Sequence, residues 1–404
     1  SYAELGTLIP AAGSTYSYAY CTLGEIVAWL VGWDLMLEYG LANSAVAAGW
    51  GAYLNQILGG FHVQLPAVLL NAPGTPIPGT HEVAWFNAPA AFSILFVTAL
   101  LVAGIKESAR LNTALVAAKC GVLLMFLAVC APHFDTAKLH PFMPFGWTGV
   151  MAGAGSLFFV FVGFDAVTTV AEETIEPQKN VPRGVLAALG IVTLLYVGVG
   201  LVLTGVMPLS AMRDDAHPLA SALVLVHQPQ AAFLLSFVAV VGILSVLLVG
   251  TIGQTRILYV MARDGLLPRL FSNVHARTGA PIEATVILGV ITAILAAAVP
   301  LDALADLVSL GTLIAFCVVS IGVIILRRSQ PELPRTFRCP WVPVLPIASV
   351  AANLYLMASL SWRIWVCYAF WMALGLAIYF AWSRRSASRV FTPNLEAEPA
   401  PLLD

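Results

Sequence analysis

Apolar runs of about twenty residues recur along the whole chain, separated by short polar or proline-bearing stretches. Runs of that length match the hydrocarbon thickness of a bilayer when coiled as α-helix. The pattern predicts ten spans: about 23–58, 86–105, 111–131, 147–171, 184–206, 230–262, 282–300, 303–326, 342–361 and 364–382. Residues 1–20, with Pro10 and Gly13, read as a helix end followed by a loop. Residues 59–85, which include APGTPIPGT, read as a loop. Residues 1–382 then form one membrane domain. Residues 383–404, with Pro393, Pro399 and Pro401, read as a polar tail without a packed fold.

One span departs from the pattern. SLFFVFVGFDAVTTVAEETIEPQKNVPR, residues 156–183, places Gly163 and Asp165 in the middle of an apolar run. Glycine costs about 1 kcal/mol in a helix interior. A charge at the helix centre costs about 2.5–3.5 kcal/mol on insertion scales. Neither suits a plain anchor, and both suit a helix broken at membrane depth. Broken helices in transporters expose backbone groups and half-helix ends, which can grip a small zwitterion.

Composition agrees with a membrane protein. Of 404 residues, 60% are hydrophobic and only 10% charged, against about 25% charged in soluble domains. The net charge of −2 gives no sign of a nucleic-acid partner. The six cysteines show no CxxC or metal-ligand spacing and read as free thiols, and no zinc, haem or nucleotide motif is present. The chain calls for no cofactor or metal.

The distribution of Lys and Arg sets the orientation. If the loop after residue 171 is cytoplasmic, 14 of the 19 Lys and Arg fall inside and 3 outside, with Lys119 and Arg256 within spans. The C-terminus is then cytoplasmic. The chain starts at Ser1 and opens like the tail of a preceding helix, with an N-terminal piece expected to be absent.

Few residues could carry chemistry in so apolar a chain. Lys119, in LVAAKCGVLLM, lies about 12 Å into its helix. Its stem can snorkel to the interface, or its amine can face the bundle interior and exchange a proton. Asp34 and Glu38 lie four apart on one helix face, where like charges oppose each other. One can be protonated, both can line a wet cavity, or both can serve as structural contacts. Phe158, Phe159, Phe161 and Phe164 surround the break, as packing or as the lid of a pocket. Asp165 reads as a cap for freed N–H groups. No two histidines share a span, which argues against an embedded enzyme. The spans are too apolar for a channel lining.

Several stretches together resemble the cationic amino acid transporter family of the amino acid–polyamine–organocation superfamily. They include YAELGTLIPAAGSTYSYAY, GWDLMLEY, GIKESARLN, HPFMPFG, FFVFVGFDAVTTVAEETIEPQKNVPRGV, RILYVMARDGLLP, LVSLGTLIAFCVVSIGVIILRR and FRCPWVPVLPIAS, and span nearly the whole chain in order. The resemblance implies an all-α polytopic membrane protein with a five-plus-five inverted repeat and two extra C-terminal helices. It makes the first complete span the third family helix and the broken span the sixth, so the first helix and most of the second are not expected here. It implies a carrier in the cell membrane that imports an L-amino acid, small and neutral or cationic, with protons. Amino acid exchange without proton flux and an inactive truncated chain stand as alternatives, and a small accessory subunit is left open. By residue, it implies substrate contacts at Phe159, Val160, Gly163, Phe164 and Glu38. Leu247 would limit the substrate side chain, and Lys119 would take the place of a sodium ion and couple protons.

Overall fold

The computed structural model describes the whole chain except residues 10–12, 78–79, 105–108, 165, 170–173, 213–214, 216, 276–280 and 384–404. The expected tail and the Asp165 cap therefore lie outside the described residues.

The fold is all helical. Among the described residues the β structure is a single bridge between Pro76 and Val83. The elements in order are α1 (Tyr2–Leu8), α2 (Thr15–Leu23), α3 (Glu25–Gly60), α4 (Ala88–Val102), α5 (Ala109–Cys130), α6 (Gly146–Ser156), α7 (Ala166–Thr169), α8 (Pro177–Val206), α9 (Leu209–Met212), α10 (Pro218–Leu225), α11 (Pro229–Arg263), α12 (Ile282–Ala298), α13 (Leu301–Ser329), α14 (Val344–Ala358) and α15 (Trp362–Ile378). Each of the ten predicted spans contains a helix. Five segments, Arg110–His133, Pro177–Val206, Pro229–Arg263, Leu301–Ser329 and Trp362–Ser383, are long and apolar enough to cross a membrane. Four shorter helical segments are similarly apolar.

Local chemistry sets many of the boundaries. Pro177, Pro218 and Pro229 open α8, α10 and α11, where the missing N–H costs nothing and φ is already helical. Asn87 caps α4 by accepting from the Ala90 N–H at 3.1 Å. Two elements depart from the sequence pattern. Thr15–Leu23, expected in a loop, is helical and buried on its first turns. It ends at Gly24, whose φ of 90° turns the chain directly into α3. Pro218–Leu225 is a further short helix in a connection that the pattern leaves irregular.

The long helix α3 is the axis of the bundle, with α11, α13, α4, α12, α2 and α15 all packing on it. A core of Trp29, Trp33, Tyr39, Ile257, Met261 and Leu288 joins three of these helices. α15 is fixed to α3 by reciprocal indole bonds. Trp33 Nε1 donates to the Trp371 carbonyl at 2.9 Å, and Trp371 Nε1 donates back to the Trp33 carbonyl at 3.2 Å. Their rings stack at 4.5 Å. Trp29 Nε1 adds a bond to the Gly375 carbonyl at 2.9 Å. A side chain at Gly375 would overlap the Trp33 indole, so this close approach requires glycine.

One end of the bundle is closed by charge. Glu4 of α1 is 1% exposed. It accepts from Arg327 Nε at 2.9 Å and from Arg327 Nη2 at 2.8 Å. The Cys339 N–H donates to it at 2.7 Å, and Arg335 Nε lies 3.4 Å away. This bidentate geometry satisfies a carboxylate that burial alone would penalise.

Candidate functional site

The broken span is visible in the backbone. α6 ends at Ser156, the chain tightens to a 3₁₀ helix over Leu157–Phe161, and Val162 is extended at ψ 133°. Gly163 then takes φ 117°, a region that side chains disfavour. No atom lies within 4 Å of where its Cβ would stand, so the backbone angle rather than crowding selects glycine. α7 resumes at Ala166. The break is wider than the single glycine expected from the pattern and begins six residues earlier.

Two neighbouring helices hold the unwound segment. The Phe159 N–H donates to Ser309 Oγ of α13 at 3.1 Å, and Ser309 Oγ donates to the Ser156 carbonyl at 3.1 Å. Ser156 Oγ donates to Asp306 Oδ1 at 2.7 Å. From α8, the Tyr196 hydroxyl donates to the Val160 carbonyl at 2.8 Å. Side chains thus take over bonds that a regular helix would supply. Beyond the break, Thr168 of α7 pairs with Ser14 through hydroxyls 2.7 Å apart.

The aromatic residues divide between two packing clusters, both of which include α13. Phe316 of α13 is a hub, with Phe158 at 5.4 Å, Phe164 at 5.2 Å and Tyr2 at 5.2 Å. Phe164 also meets the edge of Tyr2 at 5.4 Å. Phe159 packs instead with Leu41, Ala45, Leu304 and Val308. Phe159 and Phe164 therefore flank the break on different sides.

Glu38 is 2% exposed and accepts from Thr312 Oγ1 at 2.8 Å. Thr312 and Ser309 sit one turn apart on α13, so one helix joins Glu38 to the broken segment. Lys119 is partly buried, and its Nζ donates to the Gly242 carbonyl of α11 at 3.3 Å. Its stem lies where a Gly242 side chain would be, with Lys119 Cδ 2.7 Å from the Cβ position. The amine thus turns to a neighbouring helix rather than along α5 to the interface.

Leu247, expected to limit the substrate side chain, lies on α11. It is fully buried among Ala47, Ala90, Ile94, Val97, Leu248 and Ala293. Those neighbours belong to α3, α4, α11 and α12, and the cluster contains no residue of the broken span. The expectation rests on the family pattern, and a helical register alone does not say which face of α11 turns toward the break.

Ser309, Tyr196 and Phe316 do not stand out in the sequence. A serine in an apolar helix is the available signal, because hydroxyls in membrane helices bond across to neighbours. A separate cavity of ≈ 360 Å³ lies away from the break, between Lys138, Phe142, Phe145, Val150, Thr204 and Met212.

A family model described as amino acid permease matches residues 1–382. The chain is 44% identical over 384 residues to a methylthioribose transporter of Bacillus subtilis, covering 95% of this chain and 82% of that protein. It is 44% identical over 385 residues to the branched-chain amino acid permease BcaP of the same organism, with the same coverage. It is 41% identical over 338 residues to the vacuolar cationic amino acid transporter 2 of Arabidopsis thaliana, covering 82% of this chain and 52% of that protein.

Proposed function

Because the chain belongs to the amino acid permease family, we propose that it is a secondary carrier for a neutral L-amino acid, driven by protons across the cell membrane. It is an integral membrane protein, and its relatives are transporters rather than enzymes. The observation that carries the reading is the break, a 3₁₀ turn over Leu157–Phe161 followed by irregular backbone at Val162 and Gly163, with Ser309 and Tyr196 bonded to it. An amino acid brings one carboxylate and one ammonium group. Helix ends and backbone groups at a break supply complementary partial charges without burying a full counter-charge. Phe159, Val160, Gly163 and Phe164 are the substrate contacts at the break, and Glu38 is joined to it through α13. Binding competes with Ser309 for the Phe159 N–H and with Tyr196 for the Val160 carbonyl, which couples occupancy to movement of α13 and α8.

Neutral substrates are preferred over cationic ones in this reading. The side chains at the break are aromatic or aliphatic, and Glu38 is engaged by Thr312. A branched-chain permease among the relatives points the same way. Lys119 supplies the coupling, with protonation changing its hold on α11 at Gly242. The C-terminus faces the cytoplasm, from the charge bias of the loops.

Uptake into proteoliposomes tests this. Valine, alanine, arginine and methylthioribose are offered with and without an inward proton gradient. Saturable uptake of valine or alanine, selective for the L form and stimulated by the gradient, is expected. Uptake of arginine or methylthioribose alone, or exchange that ignores the gradient, contradicts it.

A further inference from the structure

The second acid of α3 has no role in the site above. Asp34 is 1% exposed, and neither of its carboxylate oxygens receives a well-formed hydrogen bond. No Lys, Arg or His pairs with it among the described residues. It faces Gly311 of α13, where a Cβ would fall 2.7 Å from Asp34 Oδ1. The absence of a side chain at Gly311 is what makes room for the carboxyl. From α15, Tyr368 packs with Leu310 and Leu313, which flank Gly311 on α13, and with Leu37 of α3, and its hydroxyl is turned toward Asp34. Tyr368 is 5% exposed, and its hydroxyl too lacks a well-formed bond. On α3 itself the neighbour is Glu38, bound to Thr312 of α13.

An ionised carboxylate without a cation is costly at bilayer depth, and two carboxylates one turn apart disfavour each other's ionisation. A neutral acid removes both penalties. Its O–H can donate to the phenol oxygen of Tyr368, or its C=O can accept from that hydroxyl.

We propose that Asp34 and Tyr368 form a proton-binding site between α3 and α15, in which Asp34 is held as the neutral acid. The site lies apart from Lys119, which contacts α11. It adjoins α13, the helix that holds the break through Ser309, so gain or loss of this proton acts on the same helix that positions Phe159. The proposal concerns the protonation of one side chain and holds whichever substrate the carrier takes.

Infrared difference spectroscopy on the protein in lipid nanodiscs tests it. At neutral pH the carbonyl stretch of a protonated carboxylic acid is expected in the wild type and absent in Asp34→Asn. The Tyr368→Phe variant keeps the acid and loses its neighbour, so the band is expected to remain and to shift in frequency. A spectrum of Asp34→Asn that retains the whole wild-type band overturns the assignment, as does a band removed only by Glu38→Gln. A band that stays fixed in Tyr368→Phe overturns the pairing with α15, and this variant decides the matter if Asp34→Asn does not fold.

Discussion

Ser309 accepts a hydrogen bond from the Phe159 backbone N–H at 3.1 Å and returns one to the Ser156 carbonyl at 3.1 Å. A single hydroxyl of α13 thereby serves both ends of one unwound turn. It replaces bonds that the chain gives up when it leaves the helix, and it ties the break to a helix that also carries Thr312 and Gly311.

Removing that hydroxyl isolates its contribution. Ser309→Ala removes the two bonds that this hydroxyl makes, to the Phe159 N–H and to the Ser156 carbonyl. A bond of this kind contributes about 1 kcal/mol net, or roughly fivefold. KM for uptake is expected to change by about that factor, while Ser309→Thr, which keeps the hydroxyl, stays near the wild type. Equal KM in Ser309→Ala and wild type would show that α13 does not shape the break.

Leu247→Ala separates a pocket residue from a core residue. The structure places Leu247 in the packed core of α3, α4, α11 and α12. The cavity left behind costs about 2 kcal/mol, the low end of the soluble range, because lipid is as apolar as leucine. A lower Tm with unchanged competition by larger amino acids is expected. Wider substrate acceptance at unchanged Tm would return Leu247 to the pocket.

The closed end of the bundle depends on Arg327. Replacing it with methionine leaves Glu4 buried without its bidentate partner, a change that costs about 3–5 kcal/mol in buried pairs. Arg327→Met is expected to melt well below the wild type. Adding Glu4→Gln should restore much of the loss, since the uncompensated charge is then gone. A single variant as stable as the wild type would mean that the cluster contributes nothing net.

Asp264, just past the end of α11, offers a pH test. Burial pushes its carboxyl above the ordinary range, against the opposing pull of the Tyr16 hydroxyl bond at 2.8 Å and of Arg263. The folded state therefore holds this proton more tightly than the unfolded chain. The stability contributed is complete below the ordinary carboxylate value of about 4 and is lost as pH rises through the elevated one. Tm of Asp264→Asn should lack this fall. If the variant and wild type show the same Tm profile between about pH 4, where an ordinary carboxyl titrates, and neutrality, Asp264 is not the group responsible.

Much of the fold is legible in the sequence because membrane helices announce themselves by length and apolarity. α11 and α13 begin and end within three residues of where hydropathy puts them. Gly163 marks the break because its conformation is a property of its own backbone. The rest depends on partners distant in sequence. Ser309 reads as an unremarkable hydroxyl until the end of α6, some 150 residues earlier, is seen beside it. Family position alone puts Leu247 in the pocket, and only packing shows which side of α11 it occupies. α2 escapes the pattern because its nine residues, TYSYAYCTL, mix small polar residues with tyrosines and give no run of apolar length. Its burial comes from Tyr16, Tyr18 and Ala19 meeting neighbouring helices. For Asp34 and Glu38 the four-residue spacing fixes a shared face, and the structure adds which helices cover it.

Gradient-driven uptake and counterflow, compared in wild type and Lys119→Ala, test the central claim most directly. In counterflow, substrate exchanges at equal pH on both sides. In the other arm, only a proton gradient drives entry. If the break binds the amino acid and Lys119 couples protons to it, Lys119→Ala retains L-selective counterflow and loses its response to pH. Full gradient-driven uptake by Lys119→Ala would contradict the coupling, and loss of counterflow selectivity would contradict the separation of the two sites.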